Sequence, residues 1–148
     1  YTGMRKGEAI NLIWSNVHND AAQPYVEIKS TLTWKTKTKK SRVVHLSKSA
    51  SEIIKGQVDK HPTYVFPAKS GGKVHDNVPY RSLIKTLDKL NIPGDLHKFR
   101  HSFASHLAME GVSRDTIGDI LGHSSSEMTK IYAHLSPEHK QSVVNKLG

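Results

Sequence analysis

Hydrophobic residues recur along this chain at two different spacings, which divide it into predicted helices and predicted strands. Apolar side chains three and four residues apart, as at Phe103 and Leu107, predict helices because residues at that spacing share one helix face. Short runs rich in β-branched and aromatic residues, as at Tyr25 and Val26, predict strands. The predicted helices cover residues 5–13, 47–56, 78–90, 98–110, 113–122, 124–135 and 136–148. The predicted strands cover residues 14–17, 25–28, 31–34, 42–46 and 64–67.

Several of these helices begin and end with residues suited to those positions. Ser113 can cap the helix that follows it, and Gly122 suits a left-handed turn at its end. Ser124, with Glu127 three residues later, matches a capping box. Residues 35–41 form a polar, basic connection between two predicted strands, which is typical of a β-hairpin with a charged tip. We therefore predict an α+β fold that is mostly helical, with one small antiparallel sheet.

Length and composition predict one basic domain, residues 1–148, with a polyanionic partner. The 36% of hydrophobic residues in a chain of 148 is enough for one modest core. The 22 lysines and arginines exceed the 13 acidic residues, which gives a formal net charge of +9. Nucleic acid is the first candidate partner, although small domains are also basic for solubility alone. The lack of cysteine excludes disulfides and thiol nucleophiles and fits a cytoplasmic setting, and no apolar run predicts a membrane span.

Residues 96–135 contain histidines, an arginine and a tyrosine at spacings that suggest convergence on one phosphate. His97 and Arg100 are three residues apart, so a helix over residues 98–110 places both on its N-terminal face. A helix N-terminus offers unpaired N–H groups and the positive end of the helix dipole, so we predict an anion site there. His123 comes directly after a predicted helix end, and Tyr132 follows it nine residues later.

These residues resemble the motifs of the tyrosine recombinase, or phage integrase, family. The family's H-x-x-R, G-H and tyrosine motifs correspond here to His97 with Arg100, Gly122 with His123, and Tyr132. Upstream, residues 2–8 resemble the family's first arginine box, and residues 36–42 resemble its lysine-bearing hairpin. The resemblance covers nearly the whole chain, because the letters around each motif match as well. It implies the fold of the family's C-terminal catalytic domain.

The resemblance implies an enzyme that cleaves and rejoins DNA through a covalent 3′-phosphotyrosine intermediate, without a metal or cofactor. Such cleavage needs a nucleophile, neutralisation of charge on the phosphate and a proton for the leaving oxygen. The implied catalytic residues are Arg5, Lys37, His97, Arg100, His123 and Tyr132. Tyr132 is the implied nucleophile, the two arginines hold the phosphate oxygens, and Lys37 protonates the leaving 5′ oxygen. His97 accepts or relays the tyrosine proton, and His123 hydrogen-bonds the phosphate.

Neighbouring residues have predicted supporting roles. The resemblance gives Glu8 the acidic position beside Arg5, where it braces the arginine. The predicted DNA contacts on the basic hairpin are Lys35, Lys39, Lys40 and Arg42. A solvated turn is the ordinary interpretation of such a basic stretch when it stands alone. Lys39 and Lys40 are also rivals of Lys37 as the proton donor, and the hairpin register decides between them.

A metal site is an alternative use of the histidines in this region. His97 and His101 have the i, i+4 spacing of a ligand pair, but no acidic or thiol ligand at a recognisable spacing completes a site. We therefore expect no metal, and we expect His101 to pack or hydrogen-bond inside the fold. Two positions depart from the family pattern: Lys98 adds a charge inside the H-x-x-R motif, and His45 stands where a proline is frequent.

The chain begins inside a motif, so the resemblance implies a longer protein. The family's N-terminal DNA-clamping domain and the first helices of its catalytic domain would precede residue 1. The implied partners are double-stranded DNA and further recombinase protomers in a tetrameric synapse, whereas this chain alone is expected to be monomeric. The last predicted helix, residues 136–148, has an apolar stripe that can dock on its own domain or on a neighbouring protomer. Two alternatives stay open: a type IB topoisomerase and a non-catalytic DNA-binding fragment.

Overall fold

The structure, a computed structural model, describes residues 2–37 and 40–123. Within these ranges it contains five α-helices, one 3-10 helix and a three-stranded antiparallel sheet, which confirms the predicted, mostly helical α+β fold. In chain order the elements are α1 (Lys6–Ile10), the 3-10 helix (Trp14–Asn16), β1 (Val17–His18), β2 (Tyr25–Ile28), β3 (Arg42–His45), α2 (Lys48–Lys55), α3 (Asn77–Leu90), α4 (Leu96–Met109) and α5 (Arg114–Leu121). The helices predicted over residues 124–135 and 136–148 lie outside the described residues.

The sheet has the strand order β1-β2-β3, so β2 is its central strand. Val26 of β2 pairs with Val17 on one side and with Val44 on the other. Burial alternates along β2, as expected for a strand with one face on the core and the other toward solvent. The β2–β3 hairpin therefore fixes where the basic connection, residues 29–41, leaves the sheet.

The prediction of a strand over residues 31–34 is wrong. The Thr31 backbone N–H donates to the Trp34 carbonyl at 2.7 Å, and the Trp34 N–H donates to Thr31 Oγ1 at 3.2 Å. This closed turn reverses the chain, so the segment does not extend beside β3. Instead β3 pairs with β2, in a register that joins Tyr25 to His45. The basic connection is therefore longer than predicted.

Two other predicted strands are largely absent: of residues 14–17 only Val17 lies in a strand, β1, and residues 64–67 form no ladder. Residues 14–16 form a 3-10 helix because the Asn16 N–H donates to the carbonyl three residues before it, at 3.0 Å. Residues 64–67 are held by isolated bridges, although Val65 is fully buried as a core strand residue would be. Pro67 has no N–H to donate to a ladder, which limits pairing at the end of this segment.

Capping chemistry sets the ends of the helices that carry the candidate site. Ser113 Oγ accepts a hydrogen bond from an N–H in the first turn of α5, and Gly122 ends α5 in the left-handed conformation, both as predicted. Helix α4 begins two residues earlier than predicted because Asp95 caps it. The Asp95 carboxylate accepts from the His97 N–H at 2.7 Å and from the Lys98 N–H at 3.2 Å.

Two groups of buried residues hold these elements together. One, which includes Val26, lies between the sheet and α2; the other, which includes Ile117, lies between α4 and α5. Each fully buried side chain of this size contributes about 1.5–3 kcal/mol to stability. Gly3 brings the N-terminal segment against the second group, because a Cβ at this position would lie 2.6 Å from the Leu121 side chain. The start of the chain is thus packed against the end of α5.

The two longest of the described helices, α3 and α4, have 14 residues each. A helix needs about 20 apolar residues to cross a bilayer. Within residues 2–37 and 40–123, no helix combines the length and the apolar character that such a crossing requires.

Candidate active site

Three arginines that are distant in sequence meet at the C-terminal end of α5. Arg42 Nε donates to the carbonyl of Ile120 at 3.2 Å, Arg100 Nη2 to that of Leu121 at 2.6 Å, and Arg5 Nη2 to that of Gly122 at 3.0 Å. The last carbonyls of a helix have no partner within the helix, and they carry its partial negative charge. A guanidinium group supplies both a hydrogen-bond donor for the carbonyl and a positive charge. Three consecutive carbonyls therefore bind three arginines. We call these arginines, with Glu8, the arginine cluster.

Glu8 is the carboxylate of the arginine cluster, and 2% of its surface is exposed. Its Oε1 accepts from Arg5 Nη1 at 2.9 Å and from Arg42 Nη1 at 2.8 Å. Its Oε2 accepts from the Arg5 backbone N–H and from Arg42 Nη2, both at 2.7 Å. Burial raises the pKa of Glu8, but the hydrogen bonds from Arg42 and Arg5 outweigh that effect and hold the pKa below its usual value. Glu8 is therefore ionised at neutral pH and binds two guanidinium groups at once.

The start of α1 orients Arg5 toward Glu8. Arg5 was predicted in the first turn of a helix over residues 5–13, but it is the N-cap residue of a shorter helix and its backbone is extended. Glu8, three residues later, accepts the Arg5 N–H in the manner of a capping box. The side chain of Arg5 is 18% exposed, so part of it is accessible from solvent.

Arg100 binds the end of α5 and not the start of its own helix. Its guanidinium donates to the Gly3 carbonyl and to the Leu121 carbonyl, and the residue is buried. The Asp95 carboxylate binds two of the N–H groups at the start of α4, those of His97 and Lys98, and an anion site beside His97 and Arg100 stays a prediction. His97 lies in the same first turn and is exposed. The two residues share a helix end but have different environments.

His123 follows the end of α5 directly. Its backbone N–H donates to the Gly118 carbonyl at 2.9 Å, which closes the helix end and fixes where the side chain begins. Its Nδ1 atom is buried and has no hydrogen-bond partner in the part of the chain that the structure describes. Burial lowers the pKa of His123 to about 4, helped by the positive charges of Arg100 and Arg5. At neutral pH the imidazole is therefore uncharged.

His97 and His101 lie one turn apart on α4, with ring centroids 6.5 Å from each other. Their i, i+4 spacing is also that of a metal-ligand pair. Among residues 2–37 and 40–123, no group of three histidine, aspartate or glutamate side chains is arranged to hold a metal ion.

The basic connection between β2 and β3 has exposed lysines, and a hydrogen bond links its two sides. Thr36 is buried, and its Oγ1 donates to the Lys40 carbonyl at 3.3 Å, which ties the two sides of the loop together. Lys35, Lys37 and Lys40 are exposed, so their ammonium groups face solvent. Lys39 lies outside the described residues. The assignment of the proton donor among these lysines stays a prediction.

Arg42 differs from the lysines with which it was grouped as a DNA contact. Its side chain is 12% exposed, and its guanidinium binds both oxygens of Glu8 as a fork. Gly122 lies directly against it, because a Cβ there would be 2.8 Å from Arg42 Cδ. The sequence alone does not predict this contact. No local pattern signals it, because Arg42 and Glu8 are 34 residues apart in sequence.

The structure thus brings together three of the six predicted catalytic residues: Arg5, Arg100 and His123. Tyr132 lies outside the described residues, and so does the predicted helix over residues 136–148. Lys37 and His97 are described, and both are exposed.

Comparisons with known proteins agree on one family. The chain matches the Phage integrase family over residues 1–139. It is 30% identical over 150 residues to a tyrosine recombinase of Thermosipho africanus, an alignment that covers 99% of this chain and 50% of that protein. The catalytic domain of bacteriophage HP1 integrase has a similar structure, with a TM-score of 0.66 and 30% identity over 97% of this chain and 74% of that one.

A structure of XerH site-specific recombinase bound to its difH substrate shares the fold, with a TM-score of 0.74 and 22% identity over 97% of this chain and 43% of that one. The chain spans about half the length of its Thermosipho relative. These relatives are recombinases and an integrase, so the topoisomerase alternative is not favoured.

Proposed function

The chain belongs to the phage integrase family, and from this we propose that it forms part of a tyrosine recombinase that cleaves and rejoins double-stranded DNA. The proposed intermediate is a 3′-phosphotyrosine, and guanidinium groups take the place of a metal ion in neutralising the phosphate. The arginine cluster beside His123 is the observation that carries this proposal. It has the charge and the partial exposure that binding of a phosphodiester requires.

The arginine cluster holds more positive charge than its own partners neutralise. Among the described residues, Arg5 and Arg42 share one carboxylate, Glu8, and the end of α5 that they also bind is worth about half a negative charge. A net positive charge therefore remains in a partly buried place, where charge interactions are stronger than in water. A phosphodiester supplies the missing negative charge. The additional charge that develops in a pentacoordinate transition state is stabilised further, and this differential binding accelerates the reaction.

In the proposed reaction the Tyr132 hydroxyl oxygen attacks the phosphorus, and the bond from phosphorus to the 5′ oxygen breaks. Because the unperturbed pKa of tyrosine is about 10, the hydroxyl needs a proton acceptor, and His97 has this role. Lys37 gives a proton to the departing 5′ oxygen. Arg5 and Arg100 neutralise the two non-bridging oxygens throughout. Rejoining is the reverse of these steps.

His123 acts in this scheme as an uncharged hydrogen-bonding group. Its pKa of about 4 means that it cannot add a positive charge at neutral pH. A neutral imidazole has one N–H donor and one acceptor nitrogen, so it can still donate to a phosphate oxygen. The arginines therefore supply the positive charge, and His123 orients the phosphate through a hydrogen bond.

The proposed partners are double-stranded DNA and further protomers of the recombinase. A net charge of +9 favours a polyanion, and a protein of the same fold, the Tn1549 transposon integrase, has a structure in complex with DNA. Lys35, Lys39 and Lys40 are the proposed backbone contacts. We propose that the protomers assemble into a tetrameric synapse on DNA and that the chain is monomeric when alone. The proposed location is the cytoplasm.

A nicked substrate that releases a short fragment on cleavage tests the function, because loss of the fragment traps the covalent adduct. The wild-type protein should accumulate the adduct, and Tyr132→Phe should abolish it while DNA affinity is retained. Tyr80→Phe is the matched control, since Tyr80 is a half-exposed tyrosine of α3. DNA binding without any adduct would instead support the non-catalytic fragment.

A substrate whose leaving 5′ oxygen is replaced by sulfur tests Lys37. Sulfur departs without a proton, so Lys37→Ala should fail on ordinary DNA and recover on this substrate. Arg100→Ala should not recover, because it affects oxygens that are unchanged. Failure of Lys37→Ala on both substrates would assign the proton to Lys39, Lys40 or a histidine.

A further inference from the structure

We propose that Arg42 is a positioning residue, which holds Arg5 and the end of α5 in place through Glu8, and that it is not a DNA contact. This inference rests on the proposed function, because what Arg42 positions is the phosphate site. It also revises the grouping of Arg42 with the exposed lysines of the basic connection. Three features of the arginine cluster support this inference.

The first feature is how Arg42 uses its donors. Nη1 and Nη2 bind the two oxygens of Glu8 at 2.8 Å and 2.7 Å, and Nε binds the Ile120 carbonyl at 3.2 Å. The planar fork of a guanidinium matches a carboxylate in this two-bonded geometry, which lysine cannot reproduce. With a side chain that is 12% exposed, Arg42 has its polar edge turned to protein atoms.

The second feature is the sharing of Glu8. Glu8 carries one negative charge and binds both Arg5 and Arg42. If Arg42 were absent, that charge would be neutralised by Arg5 alone, and Arg5 would have little net charge left for a phosphate. Arg42 thus leaves the positive charge of Arg5 available while Glu8 still orients the Arg5 backbone and side chain.

The third feature is the contact with the end of α5. Arg42 binds Ile120 and lies against Gly122, the residue that precedes His123. Gly122 has a φ of +64° and no room for a Cβ beside Arg42 Cδ. Contact with Arg42 therefore restricts the position of the left-handed turn at Gly122. His123 follows this turn directly, so its side chain is positioned by the same contact. One residue, Arg42, is coupled in this way to both Arg5 and His123.

The test compares Arg42→Gln with Lys35→Gln, which removes one exposed charge from the same connection. A positioning role predicts that Arg42→Gln changes the DNA dissociation constant and its salt dependence less than Lys35→Gln does. Adduct formation at saturating protein should slow by about 10- to 100-fold, as for other residues that orient a reactive group. Lys35→Gln should weaken binding and lower the salt slope by about 1. The inference would be overturned if Arg42→Gln weakened DNA binding and lowered the salt slope as much as Lys35→Gln does.

A second variant guards against a simple loss of folding. Glu8→Gln/Arg42→Gln replaces the whole buried pair by neutral groups and leaves the charge of Arg5 unshared. Positioning through Glu8 predicts non-additive effects, with the double variant more stable to urea and faster in adduct formation than Arg42→Gln alone. Additive losses would refute it. If the wild-type protein forms no adduct, the proposed function fails, whereas the urea measurements and the salt slope still decide the role of Arg42.

Discussion

Replacing Gly122 by alanine tests how tightly Arg42 is held against the end of α5. Gly122 has a φ of +64°, and a Cβ added there would lie 2.8 Å from Arg42 Cδ and 3.0 Å from Arg42 Nε. Arg42 cannot simply swing aside, because its guanidinium is bound to Glu8 and to the Ile120 carbonyl. The alanine should therefore displace the Arg42 side chain and disturb the hydrogen bonds of its guanidinium.

The size of the effect follows from two contributions. An L-residue in the left-handed conformation costs about 1–2 kcal/mol. Loss of one hydrogen bond to a charged group costs about 1.5–3 kcal/mol more. We therefore expect Gly122→Ala to lower the free energy of unfolding by about 2.5–5 kcal/mol, measured by urea denaturation followed by circular dichroism.

The chain provides a matched control in Gly71. Gly71 also has a positive φ, +86°, but a Cβ there would have no atom within 4 Å. Gly71→Ala should thus show the conformational cost alone, about 1–2 kcal/mol. In an Arg42→Ala background, Gly122→Ala should fall to the same cost as Gly71→Ala. Equal losses for the two glycines in the wild-type background would refute the reasoning.

The remaining predictions concern charge. His123 should stay neutral from pH 8 to pH 5, because its pKa is lowered to about 4, and an imidazole NMR signal that titrates near pH 6.5 would contradict this. Since the unfolded state protonates His123 first, stability should fall as pH drops from about 6.5 toward 4, and urea denaturation of His123→Gln should lack that slope. Glu8 has a lowered pKa, so its stabilisation should be lost only in more acidic solution, below its ordinary value of 4.5. DNA affinity should weaken steeply with salt, and fluorescence titrations that are flat between low and high salt would exclude an electrostatic interface.

Local signals predicted the helices better than the sheet. Ser113 and Gly122 mark the ends of α5 by their own backbone chemistry, so the sequence alone was sufficient there. The segment around Thr31 has the composition of a strand, but it forms a turn that is closed by a hydrogen bond between Thr31 and Trp34. Pairing between strands depends on partners distant in sequence, and these cannot be inferred from one segment.

The candidate site shows the same division. The motifs identified Arg5, Arg100 and His123, and the structure brings them to one helix end. The use of carbonyl oxygens at that end was not predictable, because every residue has a carbonyl and the choice depends on tertiary packing. Asp95 was a missed local signal, since an aspartate before a helix is a common cap and predicts that some of its N–H groups are occupied.

The central claim is that the arginine cluster neutralises the phosphate during cleavage. It is tested most directly by the rate of adduct formation of Arg5→Ala on two nicked substrates, one with an ordinary scissile phosphate and one with a methylphosphonate, which lacks an anionic oxygen. Arg114→Ala removes the same charge from the exposed, opposite end of α5 and serves as the control. The account predicts that Arg5→Ala is slower by about 10²–10³-fold on the phosphate and recovers most of this on the methylphosphonate, while Arg114→Ala cleaves normally. An Arg5→Ala variant that is equally slow on both substrates would contradict it.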